Sequence, residues 1–418
     1  MDRLKRIAWC MLWFAVLSAG PIGRTGASPG SADDVSAVNR TRPAERTILS
    51  QCRVRYAKGF TITYREGYKI VNLLDPGHPG SSRIVSTFIL VPRGTHPRVE
   101  EKGTVIEVPV RRAVLRSATH VPFFSMLGIV DRIVGITQGW YVTDPEVTKR
   151  IRQGRIREVG VGSGMTAQFN MERLLALRPD FILTWWTSNP AYAAHIKAAE
   201  AGLPVALASD YEEPTMLGRT EWVKFVAAFF DAEPQAEKVF DDIERRYLAV
   251  RKKVEGVRSR PTLMYGNAYQ GVWYIAGGQS FLANLARDAG GQYVWEDNPG
   301  TGAKPVNMET AMMRGRNADY WISQNESWLS LTSVAAEDSR FRLFKSFQTG
   351  HIYSTNGRIG PGGGNDYYQS TVVHPDLLLA DMISILHPKA IPDHKLIWHV
   401  RLPATTSKQQ GSPQRIEK

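Results

Sequence analysis

The chain has 418 residues, 43% of them hydrophobic and 22% charged, with a formal net charge of +12. That is enough apolar matter for two ordinary domains, and it excludes a fibrous or wholly disordered protein. The cationic excess, about +9 beyond the first 30 residues, is scattered and carries no nucleic-acid motif, so it describes a solvated surface able to steer an anionic ligand.

Residues 1–27 place Arg3, Lys5 and Arg6 before an apolar run from Ile7 to Leu17 and then small residues, the form of a secretory signal peptide too short to span a bilayer. Cleavage after Ala19, Ala27 or Ala32 is equally compatible, and each places the mature protein outside the cytoplasm, in the periplasm. Cys10 falls inside this segment, which leaves Cys52 alone and excludes an intrachain disulfide framework. Leu49-Ser50-Gln51-Cys52 faintly resembles a lipidation signal, although Gln51 is large for it.

Residues 28–50 are polar and aperiodic, a flexible leader. Residues 51–105 form a β extension with strands expected at 60–64, 68–74 and 86–91, separated by Glu66-Gly67 and Asp75-Pro76-Gly77. From residue 106 to 232 short apolar strands (113–116, 133–136, 158–161, 181–184, 205–208) alternate with helices (121–127, 171–177), the pattern of a parallel sheet covered on both faces. A second such region runs from 258 to 402, with strands at 262–265, 320–323 and 351–353 and helices at 281–289 and 375–386. Residues 403–418 are polar and read as a disordered tail.

Between the two regions, residues 233–257 hold a long helix. Ala236, Val239, Phe240, Ile243, Tyr247, Val250 and Val254 fall on one face, Pro234 suits the first turn, and Gly256 and Pro261 supply the stop. About 22 residues make a rod of roughly 33 Å. No Pro or Gly interrupts it, so it predicts a stiff strut and small lobe motion.

The units flanking the rod look like copies of each other. Asn170-Met171-Glu172 opens a helix that leads to Asp180-Phe181 and a strand; Asn307-Met308-Glu309 opens another that leads to Asp319-Tyr320 and a strand. Asn is a good N-cap, and Glu in the first turn favours the positive end of the helix dipole. The first unit, Asn-Met-Glu-Arg-Leu-Leu-Ala-Leu-Arg-Pro-Asp-Phe-Ile-Leu, resembles the N-lobe signature of periplasmic substrate-binding proteins that feed iron-chelate and cobalamin ABC importers. The resemblance covers roughly residues 106–402. It implies an α/β fold: two lobes, each with a mainly parallel sheet flanked by helices, joined by a single long helix, with the β extension added. It also implies a monomeric, non-enzymatic protein without a cofactor, whose partners are a metal-chelate ligand and an ABC permease. One carboxylate on each lobe, Glu172 and Glu309, would dock against permease arginines.

Ligands of such sheets sit beyond the C-terminal strand ends. The loops there carry His120, Trp140, Tyr141, Ser163, Trp185, Trp186, Tyr269, Trp273, Trp328, Tyr367 and Tyr368, which suit a large, flat or partly apolar ligand. Trp222 and Trp321 have apolar neighbours that point to the core instead. His120 is a candidate axial ligand for a haem or corrin, whereas His374, His387, His394 and His399 fit packing and turns. The glycine run from Gly360 to Gly364 lacks the Lys-Ser/Thr of a P-loop but leaves backbone N–H groups free to meet an anion. Gly160-Val161-Gly162-Ser163-Gly164 has Gly162 where a hydrolase would place its nucleophile, so a secreted enzyme has little support. A ferric siderophore suits the basic chain best, and cobalamin or haem suits the tryptophans.

Overall fold

The computed structural model describes residues 51–78, 80–187, 192–269, 272–405 and 414–415. The signal, the leader and most of the tail lie outside these residues. Four strands come first: β1 (Phe60–Arg65), β2 (Tyr68–Leu74), β3 (Ile84–Pro92) and β4 (Thr104–Val108). They form one sheet in chain order, antiparallel except for the parallel β3–β4 pair. The fourth strand crosses the boundary expected at residue 105, because Ile106 and Val108 complete the apolar face begun by Val71, Leu73, Phe88 and Leu90. That face packs on the first lobe, with Phe88 5.6 Å from Phe229 and Phe60 5.0 Å from Trp222 between ring centroids.

Buried charges also fasten the extension to the lobe. The Glu221 carboxylate accepts the amides of Arg55, Tyr56 and Ala57 and the ammonium of Lys224, while Glu213 accepts those of Lys58 and Gly59. The ammonium of Lys69, 1% exposed, donates to Asp231, Glu233 and the Ala228 carbonyl. Each buried charge has its partner, as burial requires. Cys52 is also buried, and burial pushes its thiol up to about 11 beside the Tyr64 hydroxyl.

The first lobe contains β5 (Ala113–Leu115), β6 (Ile133–Ile136), β7 (Arg157–Glu158), β8 (Gly160–Val161), β9 (Gln168–Phe169), β10 (Phe181–Trp185) and β11 (Val205–Ala208). Its parallel sheet has the order β11-β10-β5-β6-β7, and β8 and β9 pair separately. Its helices are α1 (Val121–Leu127), α2 (Pro145–Arg152), α3 (Met171–Ala176) and α4 (His195–Glu200), followed by α5 (Met216–Thr220) and α6 (Trp222–Ala228).

The rod is α7 (Glu233–Lys252), 20 residues long, with Ala236, Phe240, Ile243 and Tyr247 buried. It does not cross between the sheets alone. Every residue of α5 and α6 is buried, and α5 packs against helices of the second lobe while α6 packs against α7. The crossing is a three-helix segment, because the stretch from Met216 to Phe230 buries Leu217, Trp222, Val223, Phe225 and Val226 and its charged Arg219 and Lys224 find carboxylate partners in Asp210 and Glu221.

The second lobe has β12 (Thr262–Tyr265), β13 (Asn267–Tyr269), β14 (Val272–Ile275), β15 (Gln292–Tyr293), β16 (Lys304–Val306), β17 (Tyr320–Ser323), β18 (Ile352–Ser354), β19 (Arg358–Ile359) and β20 (Val400–Arg401). Its main sheet runs β15-β12-β17-β18-β20, parallel but for β20, with β13-β14-β16 as an antiparallel side sheet. Its helices are α8 (Phe281–Asp288), α9 (Met308–Gly315), α10 (Leu331–Glu337), α11 (Lys345–Gln348) and α12 (Pro375–Leu386). In the tail, Gln414–Arg415 pairs with β19.

The C-terminal histidines pack as expected. Buried Asp381 of α12 accepts from His394 Nε2 (2.7 Å), His399 Nδ1 (3.0 Å) and the amides of Ile397 and Trp398. Burial opposes its ionisation, but the hydrogen bonds from the two histidines outweigh burial and hold the carboxyl well below the usual carboxylate range. A depressed carboxyl contributes stability above the unfolded-state value, about 3.9, and loses it as pH falls. Asp381→Asn should cost about 3 kcal/mol or more at neutral pH, because it breaks a buried charge network. Urea unfolding should show that deficit shrinking in acid, and an equal deficit at both pH values would count against the role.

Candidate ligand-binding cleft

Residues just past strand ends of both lobes meet in one slot, Thr119 beyond β5 and Gln324 beyond β17. Adjacent parallel strands β5 and β10 end side by side, so Arg116, the first residue past β5, stands beside Trp185, the last of β10. The Arg116 guanidinium lies 4.5 Å over the Trp185 ring and donates to the Ala167 carbonyl at 2.9 Å. It is 4% exposed, and burial lowers its pKa to about 10, which leaves it cationic at neutral pH. Trp185 and Trp186 are half-buried, with Tyr192 6.3 Å from Trp185 and the Trp186 carbonyl accepting the Tyr211 hydroxyl at 2.6 Å. This wall offers ring faces backed by a fixed positive charge.

Ser163 is exposed on a loop tied back to β6, where the Gly164 amide donates to the Gln138 side chain at 2.9 Å. Trp140 is 45% exposed and Tyr141 is buried beneath it, edge-on at 5.6 Å. Tyr367 and half-buried Tyr368 line a slot of about 30 Å³ between the lobes, with Thr119, Tyr211, Arg219 and Phe281. Arg219 pairs with Asp210 at 3.1 Å and stacks 4.7 Å over Phe281 of the other lobe. Tyr269 lies in β13, in the tight hairpin that pairs it with Val272.

Three expected ligand contacts are placed elsewhere. Trp273 and Trp328, at most 1% exposed, belong to an aromatic core with Trp321, Phe341 and Phe344. Strand alternation turns Trp273 inward while Val272 faces out, and the turn after β17 folds Trp328 edge-on against Trp321 at 5.0 Å. His120 is wholly enclosed, and burial lowers its pKa to about 4, with Asp210 opposing. A ring so enclosed is no axial ligand for a planar group in the cleft. Trp222 and Trp321 are core, as their neighbours implied.

The glycine run is a clasp between lobes. A Cβ on Gly362 would lie 1.8 Å from the Trp140 carbonyl oxygen, and one on Gly364 would lie 1.8 Å from that of Tyr141. The Gly360 and Gly363 amides are spent inside the loop, on the carbonyls of Gly364 and Gly360. Alongside, the Thr143 amide donates to Gln369 (3.0 Å), the Thr143 hydroxyl to Asp366 (2.8 Å), and the Gln369 amide to the Tyr141 carbonyl (2.9 Å). Across the molecule, Thr301 donates to Glu212 at 3.0 Å and Asn284 to the Pro214 carbonyl at 2.7 Å.

Glu172 and Glu309 are both exposed in the first turns of α3 and α9. The preceding asparagines cap the two helices alike, Asn170 accepting from the Arg173 amide at 3.0 Å and Asn307 from the Thr310 amide at 2.8 Å. The repeat seen in the sequence is therefore a repeat in geometry. Arg116 and Arg219 escaped the sequence reading; the one available signal was a charge ending the apolar strand at Leu115, and Arg219 had none.

Among the described residues no helix is long and apolar enough to cross a membrane. Residues 117–357 match the family model of the periplasmic binding protein. Two uncharacterized lipoproteins of Methanocaldococcus jannaschii are similar: one is 26% identical over 318 residues (73% of this chain, 72% of that protein), the other 27% over 352 residues (80% and 83%). Among solved structures, a periplasmic heme-binding protein from Pseudomonas aeruginosa superposes with TM-score 0.53 at 14% identity, covering 71% of this chain and all of that one. A possible iron-binding periplasmic solute-binding protein from Staphylococcus epidermidis gives TM-score 0.52 at 17% identity, covering 67% and 99%. The chain belongs to the periplasmic binding protein family, as a substrate-binding protein of the iron-chelate and cobalamin ABC importers rather than an enzyme.

Proposed function

We propose that the chain captures an anionic metal chelate, a ferric siderophore first, and hands it to an ABC permease. The observation that carries this reading is Arg116 held over Trp185 at the strand ends. A buried cation behind half-open aromatic faces suits a flat, electron-rich and negatively charged ligand, and desolvation strengthens both attractions. His120 is enclosed, and the half-buried rings of Trp185 and Trp186 are the surfaces this reading assigns to the cargo.

Quenching of tryptophan fluorescence by ferric hydroxamate and catecholate siderophores, haemin and cyanocobalamin tests the reading. A ferric siderophore should saturate the protein, and Trp185→Ala should weaken it by about tenfold or more, about 1.4 kcal/mol. Saturation by haemin or cyanocobalamin alone would overturn the choice of cargo. Delivery rests on Glu172 and Glu309, which stand exposed at equivalent helix starts and offer a two-point electrostatic register to permease cations.

A further inference from the structure

A groove of about 630 Å³ opens where three parts of the chain meet. Lys58, before β1, and Gly77, after β2, come from the N-terminal extension, Glu212 and Pro214 from the first lobe, and Arg287, Thr301 and Lys304 from the second. Its size is that of a small-molecule site. Its lining is unbalanced in charge. Lys58 and Lys304 make no ion pair among the described residues, and the Arg287 guanidinium donates only to the Asn284 side chain, at 2.6 Å. The one carboxylate lining the groove, Glu212, is 6% exposed, accepts from Thr301, and is pushed up to about 7 by burial. Three cations therefore line the groove with one carboxyl group, whose ionisation burial opposes.

We infer that this groove is a second binding site, one that takes a small, multiply charged oxyanion, with the N-terminal extension supplying one of its walls. The excess of unpaired cations is the complement of such a ligand, and a concave setting between walls of low dielectric strengthens their summed field. Lys58 and Gly77 lie outside residues 117–357, the part that matches the family, so the site depends on a segment beyond that match. The buried bonds of Glu213 and Glu221 to residues 55–59 hold that wall in place. The inference goes beyond the chelate reading and stands independently of which cargo occupies the cleft.

Calorimetric titration of the mature protein at fixed ionic strength, with citrate in one arm and pyrophosphate in the other, tests the site and separates a polycarboxylate from a phosphate. One saturable site is expected for at least one of them. The double variant Lys58→Gln/Lys304→Gln should weaken it by about tenfold or more, equivalent to about 1.4 kcal/mol. Glu212→Gln should keep or tighten it, and Trp185→Ala should leave it unchanged. Both lysines reach solvent, so circular dichroism should show the double variant folded. Absence of saturable binding, or binding indifferent to the lysine pair, would overturn the inference. Loss in Trp185→Ala instead would assign the anion to the aromatic cleft and overturn it equally, whereas failure of siderophore binding alone leaves it standing.

Discussion

Gly364→Ala is expected to lower stability by about 3 kcal/mol, the upper end of the cost of overpacking, and to lower Tm by roughly 4 °C. The added methyl would fall 1.8 Å from the Tyr141 carbonyl oxygen, a backbone atom with no rotamer to escape into. The lobes must part or the loop must deform, and either loosens the bonds from Thr143 to Asp366 and Gln369. Scanning calorimetry gives the first measurement, and solution scattering should show the unliganded variant more open than the parent. Gly363→Ala is the useful control: its φ is +87° but nothing lies within 4 Å, so only the strain of about 1 kcal/mol for a left-handed residue applies. Equal melting temperatures for parent and Gly364→Ala would show that the clasp does not hold the lobes.

Charge reversal at both carboxylates proposed to dock, Glu172→Lys with Glu309→Lys, should reduce import to background while ligand affinity stays within about twofold. Like charges brought together across an interface cost several kcal/mol. Each lysine placed at a helix start costs only about 0.3–1 kcal/mol through the dipole. Asn170 and Asn307 keep their caps, so both helices should form. Import into proteoliposomes and ligand titration of the same preparation separate the effects. Intact import, or affinity lost together with import, would remove the docking role, and each single reversal should fall between parent and double variant.

The short apolar runs at 133–136, 205–208, 262–265 and 320–323 marked strands that occur at those bounds, and helices 121–127 and 375–386 follow the periodicity as closely. The capping asparagines marked the starts of α3 and α9, and with them the duplication of the lobes. These features depend on neighbours within about one or two helical turns, which is the range over which periodicity and capping act. Accessibility does not. Whether Trp273 meets ligand or core depends on Phe341 and Phe344, some 70 residues on. The glycine run has the composition of an anion cradle, but Trp140 and Tyr141, more than 200 residues away in the chain, pack against it. Arg116 gained its meaning from Trp185, and Lys58 from Arg287 and Lys304. The chain by itself thus specified its elements, their order and their duplication through short-range physical constraints. Which side chains face the cleft, what holds the lobes together, and what the N-terminal sheet contributes were decided by packing between distant segments, since burial and charge pairing belong to the assembled surface.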